Sequence, residues 1–193
     1  MSTIKDKNLA TIGQQEVDWA ARQMKVLEEI KTEFSSSKPL NGLNIGACMH
    51  VTKETANLML TLKAAGANVA LCASNPLSTK DSVAAYLSEN DIEVHAVHGV
   101  SNEDFFKHLN SVLDTNPDIT MDDGADLVTL LLTDRADIPV MGSMEETTTG
   151  VIRLKSMEKN NKLRFPVVAV NDSDTKHLFD NRFGTGQSAM DGV

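Results

Sequence analysis

Residues Leu43–Cys72 read LNIGACMHVTKETANLMLTLKAAGANVALC, and this stretch decides the fold. A short apolar run, Leu43–Ala47, gives way to Lys53–Ala65, where apolar positions recur every three or four residues. A second apolar run, Asn68–Cys72, follows just after Gly66. Short runs without polar alternation suit strands covered on both faces, and the periodic segment suits an amphipathic helix. Two strands joined through one helix with links this short are parallel neighbours with a right-handed crossover.

The same alternation continues toward the C-terminus. Strands are expected at Glu93–Val97, Ile119–Met121, Pro139–Gly142 and Phe165–Val170, with helices at Thr79–Asn90, Asn102–Thr115, Ala125–Thr133 and Thr147–Lys159. Upstream, Val17, Ala20, Ala21, Met24, Leu27 and Ile30 keep helical spacing, which predicts one amphipathic helix over Gly13–Phe34, closed by the Ser35–Gly42 segment. The chain therefore reads as one doubly wound α/β domain over residues 1–193: a mainly parallel sheet with helices on both faces and no linker to divide it.

Composition narrows the function classes. The chain has 193 residues, 41% of them hydrophobic, and a formal net charge of −9. Lys and Arg are scattered, which argues against a nucleic-acid partner. Cys48 and Cys72 lack C-x-x-C spacing and read as small buried residues in a reducing compartment, so no metal site is expected. No run approaches the roughly 20 apolar residues of a membrane span, and Met1–Lys7 lacks a signal-peptide core. A cytoplasmic protein without membrane contact is the expectation.

In open α/β sheets ligands sit beyond the carboxyl ends of the strands. Read in turn, those ends carry His50, then Ser74 and Asn75, then Asp122 and Asp123, then Glu145 and Glu146, then Asn171, Lys176 and Asp180. Only the third strand, leading into His98, brings no such group; His95, His98 and His108 read as surface or loop histidines. His50 is a candidate acid or base near neutral pH, though Met49–Thr52 also reads as a helix start capped by Thr52. Asp122 and Asp126 suit a helix N-terminus, while Asp123 is the better catalytic candidate. The Asp122–Asp126 run is no calcium loop, because Leu127–Leu131 breaks the required alternation of oxygen ligands. Thr147, Thr148 and Thr149 are poor helix formers at a helix start, which points to donors aimed at a ligand or to a deep N-cap, the ligand being the favoured reading. Lys176 can accept a proton only if burial lowers its pKa, whereas pairing with Asp180, four residues on, would keep it charged and structural. No G-x-S-x-G, P-loop or G-x-G-x-x-G motif occurs, which removes support for serine hydrolysis and P-loop phosphoryl transfer.

Five separated segments carry a resemblance: Cys48–Ala56 (CMHVTKETA), Ser74–Asp81 (SNPLSTKD), Asp122–Asp126 (DDGAD), Glu145–Val151 (EETTTGV), and Val170–Lys176 continuing through Phe179–Ser188 (FDNRFGTGQS). Together they resemble S-adenosylhomocysteine hydrolase over nearly the whole chain. The resemblance implies a Rossmann-like substrate domain and NAD-dependent reversible hydrolysis of S-adenosylhomocysteine to adenosine and homocysteine. In that chemistry the ribose 3′ position is oxidised, the 4′ carbon deprotonated, the thiol eliminated, water added and the ketone reduced.

By the same resemblance Asp123 is the base at the 4′ carbon, His50 the acid/base for departing sulfur and entering water, and Lys176 with Asn181 assists at the 3′ position. Glu146 and Asp180 hold ribose hydroxyls, Thr52 and Glu54 contact the nucleoside, and Thr147, Thr148, Thr149 and Asn181 reach NAD. Two positions depart from the family pattern: Thr185 stands where many members carry a cysteine, and Lys80 where glutamine is common beside the base. The second leaves adenosine and inosine both open. Family members continue into an NAD domain with a glycine-rich fingerprint, return to complete the substrate domain, and form homo-oligomers. The expectation is thus an N-terminal substrate-binding portion, inactive alone. A free-standing nucleoside-binding module and a docking partner of a complete enzyme are the rival readings.

Overall fold

The computed structural model describes all 193 residues. Six parallel strands form one sheet: β1 (Asn44–Met49), β2 (Asn68–Ala73), β3 (Glu93–His95), β4 (Ile119–Asp122), β5 (Gly142–Glu145) and β6 (Val167–Ala169), in the order β3-β2-β1-β4-β5-β6. The helices are α1 (Ala10–Ala21), α2 (Lys25–Ser37), α3 (Lys53–Ala64), α4 (Asp81–Glu89), α5 (Asn102–Leu113), α6 (Asp126–Leu132), α7 (Thr148–Lys159), α8 (Asp174–His177) and α9 (Thr185–Asp191). The doubly wound expectation holds, and the sheet is parallel throughout.

Alternation along β1 sorts the core. Ile45, Ala47 and Met49 pack on one face with Met59, Val83 and Leu87, whereas Cys48 packs on the other with Cys72, Leu109, Leu113, Leu127 and Leu131. Gly46 faces α5, where an added Cβ would stand 3.0 Å from Val112. Both cysteines are buried, as read. No helix is long and apolar enough to cross a membrane.

Three expectations need correction. The single N-terminal helix is two, because Arg22–Met24 break it: Gln23 and Met24 donate to the carbonyls of Ala20 and Ala21 in a tightened turn, and Met24 leaves helical space. Apolar spacing runs through the break with neither Gly nor Pro to mark it. β5 lies three residues beyond the expected Pro139–Gly142, since Pro139 has no N–H to donate and the pairing runs into Ser143 and Glu145, both buried. Those polar residues hide a central strand from any apolar pattern. Finally, His95 and His108 are buried rather than superficial, with ring centroids 6.4 Å apart beneath an N-terminal segment in which Thr3 bridges to His95.

Candidate active site

The strand order reverses direction between β1 and β4, and an open α/β sheet leaves its crevice at that switch point. His50 follows β1 and Asp123 follows β4. The His50 Nε2 lies 3.2 Å from Asp123 Oδ2, and its Nδ1 lies 2.5 Å from Ser78 Oγ. Ser74, at the end of β2, donates to the same Asp123 oxygen at 3.4 Å. A carboxylate on one ring nitrogen and a hydroxyl on the other orient the imidazole, as an acid/base group requires. Ser78 lies within the Ser74–Asp81 segment that carries the resemblance, but Asn75-Pro76 reads only as a turn and nothing in the local pattern points Ser78 at His50.

Asp122 and Asp123 divide the work. Asp122 is 1% exposed and accepts from the amides of Leu127 and Val128, capping α6. Burial pushes its pKa up to about 7, against the pull of those two backbone bonds. Asp123 points instead to His50. Asp126, at the start of α6, pairs with Arg153 at 3.2 Å.

Glu146 begins the loop after β5. Burial raises its pKa first, Asp123 and Asp180 push the same way, and Lys176 and His50 oppose them. All four charged candidates therefore act on one carboxyl group. Lys176 comes from α8 and is mostly buried, with its Nζ 2.7 Å from Asn181 Oδ1, 3.3 Å from Asn171 Oδ1 and 3.3 Å from Asp180 Oδ2. The expected Lys176–Asp180 pair forms, but across the exit of α8, since Asp180 opens a π-helical turn over Asp180–Gly184. Asn171 is the residue whose importance the sequence understates. It is 1% exposed, and its Oδ1 accepts from Thr148 Oγ1, Lys176 Nζ and Asn181 Nδ2.

Lys176, Asp180 and Glu146 line a cleft of about 350 Å³ together with Met49, Leu58 and Met121. Met49, Leu58 and Glu146 also line an adjoining groove of about 600 Å³, walled by Gln23–Leu27 and Ile30 of the α2 region and by Glu54 and Thr55 of α3. Sharing Met49, Leu58 and Glu146, the two adjoin as a trough with charged groups in the cleft and a mainly apolar wall in the groove. α2 as a wall of the trough was invisible to a reading that ran α1 and α2 together. Thr52 serves as N-cap of α3, its Oγ1 accepting from Thr55 N at 3.5 Å. Thr147 holds the N-cap position of α7 without a side-chain capping bond, while Thr148 and Thr149 are exposed on its first turn. A larger hollow of about 670 Å³ under Leu154, Leu163 and Phe165 receives none of these residues.

The sequence signature of S-adenosyl-L-homocysteine hydrolase matches residues 1–139 and 134–189. An S-inosyl-L-homocysteine hydrolase of Methanococcus maripaludis is 53% identical over 195 residues, covering 100% of this chain and 47% of that protein. Adenosylhomocysteinases of Pyrococcus abyssi and Aquifex aeolicus are 50% and 52% identical, each covering 98% of this chain and 46% of its own length. The chain spans about half the length of the curated relatives it matches. With that signature running from residue 1 to residue 189, through every segment that builds the trough, the chain belongs to the S-adenosyl-L-homocysteine hydrolase family.

Proposed function

We propose that this chain is the substrate-binding portion of an enzyme that reversibly hydrolyses S-adenosylhomocysteine to adenosine and homocysteine. The observation that carries the reading is the meeting of His50, Asp123, Glu146, Lys176 and Asp180 at the switch point. The trough suits a nucleoside: carboxylates and a lysine amino group at one end for ribose hydroxyls, an apolar groove with Glu54 for a purine.

The 5′ thioether is unactivated, so sulfur leaves only once the 4′ C–H is acidic. NAD bound beside the ribose would supply the hydride acceptor at the 3′ carbon that creates this acidity. The donor chemistry here fits one end of such a ligand: the exposed Thr149 and Thr148, whose hydroxyl shares the Asn171 acceptor with Asn181, open a 12-residue helix. With no G-x-G-x-x-G loop among these residues, the chain alone is expected to hold NAD weakly or not at all.

Lys176 receives the proton of the 3′ hydroxyl as the neutral amine, and the ammonium so formed is steadied by Asn171, Asn181 and Asp180. Asp123 removes the 4′ proton. His50 protonates the departing sulfur and then takes a proton from the water that adds at C5′. Glu146 and Asp180 accept from the ribose hydroxyls, fixing the ring against Asp123 and His50.

S-inosylhomocysteine is a second substrate candidate, favoured by the inosyl substrate named for the Methanococcus relative. Either purine presents an N–H to a carboxylate such as Glu54: the 6-amino group of adenine or the N1–H of hypoxanthine. The test is a chimera in which these 193 residues replace the matching half of the Pyrococcus abyssi protein. It is expected to hydrolyse one or both nucleosyl thioethers, while the 193-residue chain alone turns over neither. A chimera that folds and binds NAD but cleaves neither thioether would overturn the reading.

A further inference from the structure

We propose that Glu145 is a positioning residue that locks Asp123 and Glu146 in register by tying together the loops that follow β4 and β5. One oxygen, Oε1, accepts from Gly124 N at 2.9 Å and from Thr147 N at 3.0 Å. Gly124 is the residue after Asp123, and Thr147 the residue after Glu146. On their own amides these two acids are already fixed: Asp123 N donates to Cys48 O at 3.0 Å and Glu146 N to Asp122 O at 2.9 Å. Each loop is thus held at the acid by the sheet and one residue later by Glu145.

The loop after Asp123 needs such a tie. Gly124 has φ 127° and Ala125 φ 61°, a left-handed conformation that a residue with a Cβ adopts only when its surroundings enforce it. Glu145 itself is 0% exposed, and its Oε2 has no partner. Burial raises its pKa, and the Thr147, Gly124 and Ala125 amides oppose that rise. A buried carboxyl with one bare oxygen is costly, and its two backbone bonds give it a role that an apolar residue could not fill. Space is reserved for it too: a Cβ on Gly150 would stand 2.2 Å from the Glu145 carboxyl carbon. A catalytic consequence rests on the nucleoside reading; the geometry does not.

The test is NMR on the 15N-labelled 193-residue chain, with the His50 ring as reporter because Asp123 abuts it. Asp123→Asn is expected to shift the His50 Nε2 resonance in the parent. In a Glu145→Gln background, where the amide oxygen keeps both backbone bonds, the response should persist. In Glu145→Ala it should shrink at least threefold while circular dichroism stays native. Should Glu145→Ala not fold, Gly150→Ala, which displaces the carboxyl without deleting it, should shrink the response equally. A full response in a folded Ala variant overturns the proposal, and so does equal loss in Gln and Ala, which would assign the effect to charge. A merely structural Glu145 would lower the melting temperature and leave the response intact. No nucleoside enters this measurement, so an inactive chimera with the response intact would sink only the substrate reading.

Discussion

Asp122 and Glu145 are register partners on the adjacent parallel strands β4 and β5, and both carboxyl groups are buried. Burial raises both pKa values, that of Asp122 to about 7; the charges of Glu145 and Asp126 add to the rise at Asp122, and that of Asp123 to the rise at Glu145. The folded state therefore keeps a proton on Asp122 to higher pH than the unfolded chain, whose Asp titrates near 3.9. Between about pH 4 and pH 7 the folded state binds more protons, and this group's contribution to stability falls as pH rises, by at most about 1.4 kcal/mol per pH unit. Asp122→Asn should flatten that component. Urea unfolding at pH 4.5 and pH 7 measures it: the parent should lose more stability than the variant between the two. An unchanged difference would contradict the raised pKa.

Asn171 gathers three donors from α7, α8 and the π-helical turn onto one buried oxygen. Asn171→Ala removes the acceptor and leaves Lys176 and Asn181 without their anchor. Losing hydrogen bonds to a buried group costs about 1–3 kcal/mol, so amides of residues 174–184 should exchange with deuterium roughly 5- to 150-fold faster. Mass-spectrometric hydrogen exchange over the peptide reads this directly. Exchange that accelerates uniformly across the chain would show a global effect instead.

α1 and α4 touch at Gly13, where a Cβ would stand 2.0 Å from the Ser82 carbonyl oxygen. Backbone cannot yield as a side-chain tip can. Gly13→Ala should cost about 1–3 kcal/mol through overpacking, whereas Gly186→Ala in α9, with nothing within 4 Å, should be neutral or slightly stabilising. Thermal unfolding of both variants gives the comparison, and equal melting temperatures would refute the close approach.

The fold was legible because β1, β2 and the helix between them, α3, follow the simplest patterns: continuous apolar runs and a clean three-to-four period. It blurred where burial and polarity part company. Ser143 and Glu145 are buried in β5 because Ser143 pairs with Thr120 at 2.8 Å and Glu145 with two loop amides. No periodicity reports a polar residue satisfied by its neighbours. Strand ends named His50, Asp123, Glu146, Lys176 and Asp180 since topology alone gathers such positions on one edge. Ser78, the wall made by α2, and the tie made by Glu145 stayed hidden, because each depends on a tertiary approach that leaves no local signature.

Asp123 and His50 sit together, yet the proposed chemistry gives them separable tasks, and a chimera that turns over can tell them apart. Asp123→Asn cannot take the 4′ proton, so kcat should fall by about 10²–10⁴, and exchange of the adenosine 4′ hydrogen into deuterated water should fall with it. His50→Gln should lose a comparable factor in thioether cleavage while keeping most of the 4′ exchange, because sulfur departure follows deprotonation. NMR of adenosine in D₂O beside a homocysteine-release assay makes both measurements. Exchange that survives in Asp123→Asn but vanishes in His50→Gln would reverse the two assignments: the imidazole would then be the carbon base and Asp123 its orienting partner.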